Sequence, residues 1–135
     1  MGRTTVVREP VLAGFAGATA VTALHFHDPH VSGSWGHCPF LALTGLPCPG
    51  CGGLRAINDL TNGDLHGALA SNAMAVVLAA ALSVLWLTWL VRCLQGRDAP
   101  MMGSRAATVL SVGFGAAFVL FGAYRMTPWG AWLRP

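Results

Sequence analysis

Three cysteines and five histidines in about one third of the chain offer a pattern with chemical content. Cys48 and Cys51 form a Cys-x-x-Cys pair, a spacing at which one tight turn brings two sulfurs onto a single ion. Cys38, ten residues earlier, supplies a third thiolate, and His37 or His66 is the candidate fourth ligand. Thiolate and imidazole donors in a tetrahedron suit zinc. The same Cys48, Cys51 and Cys38 also support thiol–disulfide exchange, with Cys38 as a resolving or electron-relay thiol. A third reading is structural, with a disulfide bracing a turn or the thiols acting as small apolar groups. His25, His27 and His30 beside Asp28 raise a further His-x-His-x-x-His cluster, for which interfacial polar residues are the plainer expectation.

These residues sit in a segment of distinct composition. All five histidines and three of the four cysteines fall between residues 25 and 72. Pro47, Pro49 and Gly50 predict a tight turn, since proline fixes φ and glycine permits positive φ. A short helix is expected from Leu54 to Leu60, with Arg55 and Asp59 four apart and able to pair. Asn62-Gly63 breaks it, and Asp64 is a suitable N-cap for a following helix. That helix is expected to run through Ala68 and Asn72 without interruption. Asp64 and Asn72 are read as structural residues; Arg55 is read as an anchor for a lipid phosphate or a partner's carboxylate.

The elements that must position this segment are apolar. Charged residues are only 10% of 135, lysine is absent, and hydrophobic residues reach 54%. Ordinary soluble domains carry about 25% charge. The eight arginines are scattered singly beside apolar runs, which argues against nucleic acid. Residues 73–91 and 106–124 are each 19 residues without a charge, long enough to cross a hydrocarbon core of about 30 Å. A third, weaker run covers about residues 8–26; Ala18-Thr19-Ala20 also fits a cleavage site, but the apolar stretch continues to Phe26 and favours a retained anchor. The expectation is an all-α integral membrane protein, a single membrane domain over residues 1–135. It has three transmembrane helices and a Cys/His-rich, partly helical loop at 27–72.

Arg3, Arg8, Arg92, Arg97 and Arg105 flank one side of these spans, and Arg55, Arg125 and Arg134 the other. By the positive-inside tendency the N-terminus is cytoplasmic and the cysteine loop extracytoplasmic in a multi-pass cell-membrane protein. Small residues four apart (Ala13/Gly17, Gly14/Ala18, Ser111/Gly115, Gly113/Ala117) suit close helix packing within the chain or self-association.

The run Cys38-Pro39, Thr44-Gly45, Cys48-Pro49-Gly50-Cys51-Gly52-Gly53, Leu54-Arg55-Ala56, Gly63-Asp64, Ala68 and Asn72 resembles the membrane family catalogued as domain of unknown function 2752. The resemblance covers roughly residues 35–91 and implies a small bacterial multi-span protein, with no activity attached. The residues nominate no Ser/His/Asp set and no phosphate-binding glycine loop. The expectation is therefore a non-enzymatic protein whose partners are the lipid bilayer and, as a small accessory subunit, another membrane protein. Sided labelling checks the topology: in chelator-treated intact cells an impermeant maleimide is expected to modify the loop cysteines, and Cys93 only after permeabilisation.

Overall fold

The computed structural model describes residues 3–36, 38–46, 48–97 and 103–133, and it is helical, with no strand among them. In chain order the helices are α1 (Arg3–Phe26), α2 (Pro39–Thr44), α3 (Gly53–Thr61), α4 (Leu65–Leu94) and α5 (Ser104–Met126); a 3-10 turn, Pro128–Leu133, follows. Two of these, α4 and α5, are long and apolar enough to cross a membrane. Their large apolar side chains, such as Val77, Leu82, Val109 and Leu120, are exposed. Such surfaces suit lipid rather than water.

Asp64 opens α4 as expected, accepting the Gly67 N–H at 2.8 Å. The expectation of one uninterrupted helix from there into the apolar run is overturned at Asn72. Its backbone leaves the helical region (φ −166°, ψ 95°) and splits α4 into a short lead-in and a long apolar segment. The Asn72 Oδ1 accepts the Ala75 N–H at 3.0 Å, so this residue is the N-cap of the long segment. Asparagine competes for backbone partners with its side chain, and here that competition ends one helix and starts another.

Helix α1 runs antiparallel to α4. Near its start, the Trp86 Nε1 donates to the Pro10 carbonyl at 2.8 Å. A Cβ on Gly14 would run into the same indole. At its end, the Asn58 Nδ2 donates to the Leu24 carbonyl at 2.7 Å and His25 meets Thr61. Of the small-residue pairs in the sequence, Gly14 is used for this contact. A side chain on Gly17, Gly113 or Gly115 would meet nothing among the described residues.

Helix α5 joins the rest at its C-terminal end. Gly122 is buried against Pro49, and a Cβ there would collide with the proline ring. Gly122→Val is expected to cost about 1–3 kcal/mol by overpacking. Gly113→Val, which faces open space, should change stability by less than about 0.5 kcal/mol. Thermal unfolding of both variants in detergent checks the contrast.

Candidate metal centre

The cysteine segment is built from two turns. Cys38 is the N-cap residue of α2, extended at φ −66°, and its carbonyl accepts the Ala42 N–H at 3.0 Å. Proline at the next position suits a helix start, where an N–H has no partner to lose. Gly45, at φ +69°, ends α2 after a turn and a half. The chain then returns through Cys48-Pro49-Gly50-Cys51, closed by the Cys51 N–H on the Cys48 carbonyl at 3.1 Å. Gly52, at φ +80°, redirects the backbone into α3.

Three free thiols meet as a result. Cys48 Sγ lies 3.1 Å from Cys51 Sγ and 3.5 Å from Cys38 Sγ. All three sulfurs fall within 4.8 Å of one another, close enough to hold a metal ion. Around a tetrahedral zinc, sulfurs at 2.3 Å from the metal stand about 3.8 Å apart. The observed spacing needs only a small expansion to reach it.

The thiols are not equivalent. Burial, reinforced by hydrogen bonds to the Cys48 and Cys38 thiols, pushes the Cys51 thiol up to about 12. The Leu41 backbone N–H, with the Cys51 and Cys48 thiols behind it, holds Cys38 below the ordinary thiol range. In the metal-free protein the raised Cys51 favours the fold below its unfolded value near 9, and that contribution is lost as pH rises toward 12.

A buried arginine and a buried asparagine hold the turn from behind. Arg125, from α5, is fully buried and its Nη1 donates to the carbonyls of Cys51 (2.9 Å), Cys48 (3.3 Å) and Pro49 (3.5 Å). Its Nη2 reaches the Ser71 carbonyl at 3.4 Å, and Phe121 lies 5.5 Å below the guanidinium. The Asn72 Nδ2 donates to the carbonyls of Pro49 (2.9 Å) and Cys51 (3.0 Å). Sequence reading placed Arg125 in a flank and missed this role. One signal pointed to it: an arginine inside the apolar helix α5, where ionisable groups are costly.

The remaining nominated residues sit as follows. His37 lies outside the described residues. His66 is exposed in the first turn of α4 and does not join the three sulfurs. The expected Arg55–Asp59 pair is not formed. The Arg55 Nε donates to the Pro29 carbonyl at 3.3 Å, while Asp59 accepts from Ser71 Oγ at 2.9 Å and faces His30 Nε2 at 3.3 Å. A loop residue offers each partner a better-placed group than the helix neighbour does. His25, His27 and His30 do not converge either. They bond to Thr61, to the Ser34 carbonyl and to Asp28, whose carboxyl is held low by the His30 backbone N–H and then its imidazole. Cys93 is buried near the far end of α4.

Away from Arg125, Cys38 and Cys51 border an open cleft of about 380 Å³, which Pro29, Trp35, Leu41 and Arg55 also line. The two turns, the α3 helix and the first part of α4 fall in one continuous stretch of sequence. Residues 38–86 match the family described as protein of unknown function DUF2752. The DUF2752 segment therefore carries all three clustered cysteines, Arg55, Asp64 and Asn72, whereas Arg125 comes from outside it. No curated protein and no solved structure matches the chain.

Removing the clamp is expected to loosen the cysteine turn. Arg125→Met removes one donor from each of the carbonyls of Cys48, Pro49, Cys51 and Ser71 and should cost about 2 kcal/mol or more; Asn72→Ala should cost about 2 kcal/mol through lost bonds and a lost cap. Thermal unfolding in detergent measures both, and unchanged midpoints would dismiss the clamp.

Proposed function

We propose that Cys38, Cys48 and Cys51 form a three-thiolate metal centre, with zinc as the first candidate ion, at the rim of a small multi-span membrane protein. The observation that carries this reading is the convergence of three sulfurs within 4.8 Å from two separate turns. One disulfide needs only two of them. The Arg125 guanidinium, bonded to the carbonyls of Cys48 and Cys51, adds positive charge beside sulfurs that must become anionic to bind metal.

We read α1 as a third span, because it packs along the bundle, on α4 at Pro10 and on α3 at Leu24. The N-terminus and the connector after α4 then share the arginine-rich, cytoplasmic side, and the centre faces outward. A non-enzymatic accessory role in the membrane fits a metal site built for rigidity. A thiol oxidoreductase is the second reading, favoured by the lowered Cys38 beside two further thiols.

One gently purified sample separates the two. The metal reading expects one equivalent of zinc or cobalt per chain, and at least a tenfold weaker affinity in Cys38→Ser, Cys48→Ser or Cys51→Ser. Affinity should fall as pH is lowered, because the ion displaces protons that Cys51 in particular holds tightly. Absence of metal uptake, with a Cys38–Cys48 or Cys48–Cys51 disulfide that forms and reduces reversibly, would replace this reading with the redox one.

A further inference from the structure

We infer that the metal centre keeps one coordination position open to the cleft beside it, and that a small organic anion from solution fills that position under the influence of Arg55. The inference rests on the three-thiolate reading and adds its ligand. Three sulfurs occupy three corners of a tetrahedron, and zinc sites with three protein ligands take an exogenous fourth.

Among the described residues, no other donor joins the sulfurs. His25, His27 and His30 are engaged with Thr61, with Ser34 and with Asp28 and Asp59, while His66 is exposed on α4. Two of the three cysteines, Cys38 and Cys51, line the cleft. The open position of an ion on these sulfurs therefore has space, and a route to solvent, on that side.

The cleft's chemistry selects the ligand. A divalent ion on three thiolates carries a net charge of −1, which by itself repels anions. Two arginines offset that charge, with the Asp28 carboxylate also within electrostatic reach of Arg55: Arg125 bonds the carbonyls behind the turn, and Arg55 lines the cleft in front. Arg55 is fixed by its Nε on the Pro29 carbonyl at 3.3 Å, a bond that uses one of a guanidinium's five N–H donors. Trp35 and Leu41 add apolar wall, and Trp35 is itself fixed by its Nε1 on the His27 carbonyl at 2.8 Å. A cleft of about 380 Å³ accepts a carboxylate or thiolate carrying a small apolar body.

The test uses the full chain in detergent, loaded with cobalt(II), whose sulfur charge-transfer and ligand-field bands report the coordination sphere. Azide is the anionic probe and imidazole the neutral one. Azide at millimolar concentration is expected to shift the ligand-field bands saturably. Arg55→Gln should weaken azide about tenfold and leave imidazole unchanged, and Arg55→Lys should restore much of the loss. His37→Gln should leave the resting bands as they are.

Bands indifferent to both probes, or altered by His37→Gln, mean that the chain fills its own fourth position and overturn the inference. An azide affinity unmoved by Arg55→Gln removes Arg55 from it. A protein that shows no sulfur-to-cobalt bands at all instead overturns the metal reading beneath.

Discussion

Backbone carbonyls crowded onto one side of a single turn set the terms for this structure. The Cys48–Cys51 turn directs the oxygens of Cys48, Pro49 and Cys51 inward, toward a place where helices close over them. A buried carbonyl without a donor is expensive, more so next to lipid than next to water. Arg125 and Asn72 answer that need from two different helices. The kink in α4, the notch at Gly122 and the burial of a charged side chain at the end of α5 all follow from bringing those two donors to one turn.

The same pair explains the shape of the cysteine cluster. Sulfur positions depend on the backbone of the turn, and that backbone is fixed by five donor contacts on its far side. The thiols can then lie close together, bonded to one another and, at Cys38, to the Leu41 backbone N–H. Proline and glycine alone would define the bend of the chain but not its place against α4 and α5. A metal centre needs both, because ligand geometry must be held within fractions of an ångström.

Much of this was legible in the residues. The two long apolar helices follow from charge-free runs, the Asp64 cap from its position after a glycine, and the family match from the ordered cysteines, glycines and asparagine. The gathering of Cys38 with the Cys-x-x-Cys pair followed from spacing across a short apolar hairpin. What spacing could not reveal is long-range. Asn72 reads as one more residue in a helical stretch until the carbonyls it serves, 21 and 23 positions earlier, are seen. Arg55 and Asp59 sit at pairing distance on paper, yet each finds a loop partner, Pro29 and His30, that helix periodicity cannot foresee.

The docking of α5 through its last turns has a temporal side. Arg125 lies 74 residues after Cys51, a stretch that takes about 4–15 s to synthesise. Until it arrives, the cysteine turn has Asn72 but lacks its principal donor. The centre is therefore finished from its distal end, by an arginine that the matched DUF2752 segment does not contain. The cysteine turn gains its full set of donors only once α5 has docked, and a chain arrested before α5 keeps the Asn72 contacts alone.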